Sequence, residues 1–94
     1  MDSEWKKESC CAFLAIKNAD EMSAFFDSLF TPSEFDELAR RWQIVSRLIE
    51  GNSQRLVSKR TGVGIGTVER GARVIKYGTG ILQKLHKRIS SNRK

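Results

Sequence analysis

What this 94-residue chain can fold into is constrained most by the segment 54–76, QRLVSKRTGVGIGTVERGARVIK. It predicts two short helices joined by a tight turn, because Gly62 stands where the chain reverses and glycine takes a positive φ without steric cost. Val57, Val63 and Val68 are spaced to hold the two helices together. The pattern is typical of a helix-turn-helix, which offers its second helix to the major groove of DNA, and equally of an ordinary helical hairpin.

The second helix of this segment has two distinct faces. Steps of three, four and three residues place its apolar side chains together; these are Ile65, Val68, Ala72 and Ile75. Its other flanks carry Thr67, Glu69, Arg70 and Arg73. An apolar face toward the protein and a polar face toward solvent are what a DNA-reading helix needs.

The uneven distribution of charge favours the DNA-binding interpretation. Residues 1–50 contain six Lys or Arg and ten Asp or Glu, whereas residues 51–94 contain eleven Lys or Arg and a single acid, Glu69. The resulting net charges of −4 and +10 mark the C-terminal half as the side that faces a polyanion and the N-terminal half as a scaffold. Nucleic acid is the leading candidate for that polyanion.

The sequence shows neither a membrane span nor a signal peptide. No apolar run approaches the roughly 18 residues that a span needs, and charges of both signs occupy the N-terminus. Cys10 and Cys11 are adjacent, so a bridge between them would be strained, and with one histidine in the chain they form no zinc set. We expect a cytoplasmic protein in which both thiols are reduced and act as small buried hydrophobic groups.

Three amphipathic helices are predicted before the helix-turn-helix. The first covers about residues 4–18, and the second is capped by Asp20. The apolar face of the second consists of Met22, Phe25, Phe26, Leu29 and Phe30. The third begins at the capping box of residues 31–34 and ends at Gly51. Its apolar stripe, predicted as core, consists of Phe35, Leu38, Trp42, Val45 and Ile49.

A last amphipathic helix follows a break at residues 77–80, and residues 90–94 are predicted to be a frayed basic tail. The single histidine, His86, is expected to be a solvated surface residue of this helix. The predicted fold class is therefore all-α, with six short helices. So short a chain cannot readily bury this many apolar faces, and we expect an intertwined homodimer that would present two recognition helices to a palindrome.

Several short motifs in the centre of the chain are shared with a known family. They are Leu-Phe-Thr-Pro at 29–32, Arg41, Ile-Val-x-x-Leu-Ile-x-Gly at 44–51, Ser-Gln-Arg at 53–55, and Gly-Ile-Gly-Thr-Val-x-Arg-Gly at 64–71. On these motifs the chain strongly resembles the bacterial Trp repressor family over roughly residues 22–76. The resemblance implies a single domain 1–94. Its parts are a dimerisation and ligand scaffold at 1–51, the helix-turn-helix at 53–76, and a C-terminal helix with a basic tail at 79–94.

The resemblance also implies that the homodimer binds L-tryptophan as a corepressor, with no other cofactor. The ligand's indole would lie between the guanidinium groups of Arg41 and Arg70, and Arg70 would also pair with its carboxylate. Carbonyl groups of residues 28–30 would receive its ammonium group at a helix C-terminus. The residues expected to bind tryptophan are Thr31, Arg41, Val45, Thr67, Arg70 and Gly71. Gly71 would let the indole approach the backbone.

By the same resemblance, the loaded dimer would bind a palindromic operator and repress genes of tryptophan metabolism. The residues expected to contact DNA are Gln54, Arg55, Ser58, Gly64, Ile65, Gly66, Thr67 and Glu69. Arg55 would hold a phosphate or a guanine edge, and the amides of residues 64–66 suit a phosphate. The sequence departs from the family pattern at Ser28, Ser58, Glu69 and Val74. Glu69 would either accept a hydrogen bond from cytosine or repel phosphate.

No catalytic activity and no metal are expected, because the sequence offers neither a nucleophile–base pair nor a ligand set. Two alternatives to the tryptophan-dependent repressor stay open. One is a helix-turn-helix protein whose DNA binding ignores tryptophan. The other is a basic helical protein that binds RNA or joins a larger assembly, and it would show no preference for a palindrome.

Overall fold

The computed structural model describes residues 2–92, in which six α-helices occur. They are α1 (Ser3–Ala15), α2 (Ala19–Leu29), α3 (Pro32–Ile49), α4 (Gln54–Thr61), α5 (Ile65–Tyr77) and α6 (Ile81–Asn92). These residues contain no strand, and the predicted all-α fold of six helices is confirmed. The chain divides within α3 into two compact units, Met1–Asp36 and Glu37–Lys94.

The first two helices begin and end at positions that their capping groups select. The Asn18 side chain accepts a hydrogen bond of 2.8 Å from the Glu21 amide, and the Glu21 carboxylate accepts one of 3.1 Å from the Lys17 amide. This reciprocal pair starts α2 at Ala19, so the predicted cap at Asp20 is wrong. Helix α1 ends at Ala15, three residues before its predicted end. The next residue, Ile16, is extended, and so is Asn18, which caps α2.

A cluster of aromatic rings joins the helices of the unit Met1–Asp36. Phe26 lies at its centre, with ring centroids 5.1 Å from Phe35, 5.4 Å from Phe30 and 5.9 Å from Phe13. Even so, no described residue of α1 or α2 is buried, and Leu14 is 84% exposed. The predicted burial of the two cysteines, Cys10 and Cys11, is wrong for the single chain, because both lie on the exposed surface of α1.

Helix α3 begins as the sequence predicts. The Thr31 amide donates to the Glu34 carboxylate at 2.9 Å, and the Glu34 amide donates to the Thr31 hydroxyl at 3.2 Å. This capping box is closed by Pro32 as the first helical residue. At the other end, the amide of Gly51 donates to the Leu48 carbonyl at 3.0 Å, with Gly51 at a φ of +97°. The predicted limits of α3 are confirmed.

The buried core of the unit Glu37–Lys94 is small and lies between α3, α4 and α5. It consists of Ile44, Val57 and Val68, with Leu48 and Val63 packed against it. The stripe predicted as the core of α3 is wrong for the single chain, because the side of α3 that faces α4 and α5 carries Ile44 and Leu48 instead. In that stripe Leu38 is exposed, and the other members are only half-buried.

Helix α6 is attached to the rest of its unit by polar contacts. The Gln83 amide donates to the Ile75 carbonyl at 2.9 Å, and the His86 ring lies 3.2 Å from the Glu50 carboxylate and 6.4 Å from the Trp42 ring. The His86 side chain is only 15% exposed, so the prediction of a solvated histidine is wrong.

The end of α6 also differs from its prediction. Residues 90–92, predicted as a frayed tail, are helical, and Arg93 and Lys94 lie outside the described residues. Within residues 2–92, no helix has both the length and the hydropathy that a membrane crossing requires.

Candidate nucleic-acid interface

The turn between α4 and α5 has the geometry of a helix-turn-helix. Helix α4 starts at Ser53, whose hydroxyl accepts a hydrogen bond of 3.1 Å from the Leu56 amide, and ends at Gly62, which is left-handed with a φ of +71°. Two residues later, Gly64 caps α5. The helices are held together at their crossing by Val57 and Val68, both with 0% exposure. The helix-turn-helix predicted at 53–76 is therefore present, and its second helix extends to Tyr77.

The turn is also closed by a side-chain hydrogen bond. The half-buried Ser58 hydroxyl donates to the carbonyl of Val63 at 2.6 Å. This hydrogen bond connects α4 to the turn. It uses the hydroxyl proton that Ser58 would need to donate to DNA in the predicted contact. A hydrogen bond from Ser58 to a phosphate would have to break it.

The other residues predicted to contact DNA lie on exposed positions of the motif. Gln54 and Arg55 occupy the first turn of α4. The other five lie in the first turn and a half of α5 or cap it, and all of them are exposed; they are Gly64, Ile65, Gly66, Thr67 and Glu69. Gly64 makes no side-chain capping bond, so the first amides of α5 have no capping side chain as a hydrogen-bond acceptor. Such amides suit a phosphate oxygen.

No carboxylate within residues 2–92 neutralises the cations of this motif. The ion pairs there join Lys7 to Glu4, Arg41 to Glu37 and His86 to Glu50, and none involves α4 or α5. The exposed arginines Arg55, Arg70 and Arg73 therefore keep their full charge toward solvent. This arrangement attracts an anionic partner.

The residues predicted to bind tryptophan are placed differently from one another. Arg70 and Thr67 are exposed on α5, and Val45 is half-buried on α3. The Arg41 guanidinium donates to Glu37 at 2.8 Å, in an exposed pair of the kind that contributes little to stability and separates easily. Thr31 belongs to the unit Met1–Asp36, where its hydroxyl serves the capping box.

Gly71 has a packing function that the sequence did not reveal. A Cβ atom at this position would lie 3.0 Å from Cγ2 of Ile44 and 3.7 Å from Cδ1 of Leu48. The missing side chain therefore lets α5 lie close against α3. The sequence did not predict that Gly71 contacts Ile44, because Ile44 lies outside the apolar stripe predicted from the periodicity of α3.

Within residues 2–92, no three His, Cys, Asp or Glu side chains lie close enough together to hold a metal ion. The exposed arginines of the motif and the uncapped first amides of α5 are donors, and an anion is the ligand that such groups accommodate.

Comparison with known proteins identifies the family. The model of the family described as Trp repressor protein matches residues 4–90. The chain belongs to the Trp repressor family. This is a family of DNA-binding regulators and not of enzymes.

Individual relatives agree with this placement. The chain is 35% identical over 75 residues to a Trp operon repressor homolog of Vibrio cholerae, covering 79% of this chain and 72% of that one. It is 34% identical over 67 residues to the uncharacterized Bacillus subtilis protein YerC, covering 71% of this chain and 64% of YerC. The structure superimposes on a TrpR like protein from Eubacterium eligens with a TM-score of 0.83 and 25% identity, covering 94% and 91% of the two chains.

Proposed function

We propose that this protein is a homodimeric transcriptional repressor of the cytoplasm, which binds a palindromic DNA operator through α4 and α5 and responds to L-tryptophan. The observation that carries the proposal is the exposed face of the helix-turn-helix. Its arginines have no carboxylate partner within residues 2–92, and its recognition helix begins with uncovered amides. Phosphate contacts of this kind position a helix in the major groove, where its side chains meet base edges.

Dimerisation is supported by the apolar surface that the single chain leaves exposed. Among residues 2–92, only Ile44, Val57 and Val68 are buried hydrophobic residues. Large apolar side chains stay exposed on α1 and α2, and others lie on the end of α5 and along α6, namely Val74, Tyr77, Ile81, Leu85 and Ile89. Apolar surface on this scale is typical of a chain whose core is completed by a second copy.

Tryptophan is supported as the effector by relatives named Trp operon repressor homolog and by two available guanidinium groups. Arg70 has no ion-pair partner within residues 2–92, and Arg41 is held only by its exposed contact with Glu37. A guanidinium plane stacks on an indole, and it also pairs with a carboxylate. Tryptophan would act by binding the DNA-competent arrangement of the dimer more tightly than the other arrangement.

The proposal is tested by fluorescence anisotropy with a labelled palindromic tryptophan-operator duplex and a scrambled duplex. Both titrations are made at one fixed salt concentration, with and without L-tryptophan. We expect tryptophan to tighten binding to the operator alone. Operator preference that ignores tryptophan would support the ligand-independent helix-turn-helix protein instead. Equal binding to both duplexes would contradict the repressor.

The proposed arginine clamp, in which Arg41 and Arg70 hold the indole between them, is tested separately. Tryptophan is titrated into the Arg70→Ala variant in a calorimeter. We expect heat of binding to disappear while the protein stays folded. Arg73→Ala is the matched control, because Arg73 is an exposed arginine of the same helix without a predicted ligand contact. Tryptophan binding by Arg70→Ala at the wild-type affinity would show that the clamp assignment is wrong.

A further inference from the structure

Helix α6 presents a second cationic surface, separate from the helix-turn-helix. Lys84, Lys87 and Arg88, together with Ser91 and Asn92, line an open groove of about 310 Å³. Positions 84, 87, 88 and 91 follow the spacing of three and four residues that places side chains on one face of a helix. The side chains that line the groove therefore form one continuous face of α6, with three positive charges and two neutral hydrogen-bonding groups.

The orientation of this face is fixed by contacts on the other side of α6. Gln83 and His86 hold the helix to the Ile75 carbonyl and to the Glu50 carboxylate. Gln83 directly precedes the cationic positions and His86 lies among them, and both side chains turn toward their own chain. The lysines and Arg88 consequently point away from α3 and α5.

The charge of the α6 face is not compensated by any ion pair within residues 2–92. The sequence contains no Asp or Glu after Glu69, and none of the ion pairs within residues 2–92 involves the three cations. Three unpaired cations on one helix face repel one another unless an anion lies between them. A row of phosphates supplies such charges at short intervals along a duplex.

We propose that the cationic face of α6 binds the phosphate backbone of double-stranded DNA as a second, sequence-independent contact. The inference rests on the proposed function for its partner and adds a surface outside the helix-turn-helix. Lysine acts as a point charge toward phosphate, and Ser91 and Asn92 supply neutral hydrogen-bond donors, which together hold a backbone without reading bases. A membrane surface fits less well, because α6 contains no Trp or Phe with which interfacial helices enter a bilayer.

The experiment compares wild-type protein with the triple variant K84Q/K87Q/R88Q. Binding to the operator duplex and to the scrambled duplex is measured over a series of NaCl concentrations. Each phosphate contact contributes about 0.9 to the slope of log K against log salt. Because the proposed dimer carries two α6 faces and thus six of these cations, we expect the slope of the variant to be smaller by up to about 5, with equal losses of affinity for both duplexes and an unchanged operator preference.

The matched control is K6Q/K7Q/K17Q, which removes the same charge from the unit Met1–Asp36. Its salt slope should equal that of the wild type, and circular dichroism should show all three proteins folded. If the two triple variants have the same slope, α6 does not bind phosphates and the inference is wrong. If the α6 variant instead loses binding to phosphatidylserine vesicles while its DNA slope is unchanged, the face is a membrane surface and the inference is equally wrong.

The result for α6 is distinguishable from the result for the repressor itself. A wild-type protein that binds both duplexes equally contradicts the proposed function, yet a reduced slope in the α6 variant would still support the phosphate contact. Operator preference in the wild type combined with an unchanged slope in the variant supports the repressor and overturns the role of α6.

Discussion

The two units of this chain use their apolar residues in opposite ways. In Glu37–Lys94, Val57 and Val68 are removed completely from solvent by the crossing of two short helices. In Met1–Asp36, five phenylalanine rings contact one another, yet no described residue of α1 or α2 is buried. Few apolar residues thus suffice where helices of one chain cross, while a larger apolar set leaves its surface open in the unit that, in our proposal, a second copy completes.

This difference separates stability from recognition. The helix-turn-helix obtains its internal geometry from within its own unit, through its valines and the Ser58 hydrogen bond. The aromatic unit leaves large apolar side chains exposed, and such a surface is suited to assembly. Substitutions should therefore act on assembly in one unit and on local stability in the other.

The largest effect is expected for Phe26→Ala, because the Phe26 ring takes part in four ring contacts. Deletion of a large aromatic side chain from a packed site costs about 3–5 kcal/mol. If the unit is completed by a second copy, the dimer of the variant should be weaker. Analytical ultracentrifugation should then show that a much higher protein concentration is needed for the dimer to form. Lys6→Ala on exposed α1 is the control. A Phe26→Ala protein with unchanged self-association would show that this unit is not the interface.

A smaller and local effect is expected for Val68→Ala in the fully buried crossing of α4 and α5. The loss of two methyl groups and the remaining cavity should reduce the free energy of unfolding by about 2 kcal/mol. Amide hydrogen exchange should accelerate within residues 54–77. Lys76→Ala on the same helix is the control, since Lys76 is exposed and has no part in the core. Equal losses for the two variants would contradict the assignment of the core.

The packing of α5 against α3 is tested by Gly71→Ala. Alanine gains up to about 1 kcal/mol over glycine within a helix, but a Cβ atom 3.0 Å from Ile44 introduces overpacking of about 1–3 kcal/mol. The net result should be a loss of stability in urea unfolding. Gly66→Ala, with no atom within 4 Å of its Cβ position, should be stabilising. A gain of equal size for both variants would exclude a close approach at Gly71.

The smallest effect is expected for Glu50→Ala, which removes the acceptor of His86. Because the Glu50 side chain is 52% exposed, the loss should stay below about 1 kcal/mol. The fluorescence of Trp42 should change, since its ring lies 6.4 Å from His86. Glu37→Ala removes an exposed pair and should leave that fluorescence unchanged. The same spectrum for both variants would mean that Glu50 does not position His86.

Local signals in the sequence predicted the parts of the fold that depend on neighbouring residues. The capping box at Thr31, the turn at Gly62 and the crossing valines were all recognisable, because short-range sterics and hydrogen bonds determine them. The cap at Asn18 was missed because Asp20 is an equally good capping residue. The cap lies at Asn18, two positions before Asp20, because the Glu21 carboxylate accepts a hydrogen bond from the Lys17 amide.

Long-range contacts were not predictable in the same way. Periodicity favoured a stripe on α3 that passes beside Ile44, and nothing in the sequence connects Gly71 with Ile44 or His86 with Glu50. The predicted DNA-contacting residues were found exposed with the exception of Ser58, whose hydroxyl is taken up by the Val63 carbonyl. The exposure of a side chain follows from helix periodicity. The hydrogen-bond partner of the Ser58 hydroxyl depends instead on where the turn places the Val63 carbonyl.

The two glycines that flank the helix-turn-helix have a mechanical consequence. Gly51 and Gly80 have φ values of +97° and +85°, and neither has an atom within 4 Å of its Cβ position. Positive φ values of this size strain any residue with a side chain, so the chain enters and leaves the α4–α5 pair through positions that only glycine occupies without strain. A substitution at either glycine would therefore strain a connection to the helix-turn-helix while leaving the sequence of its two helices unchanged.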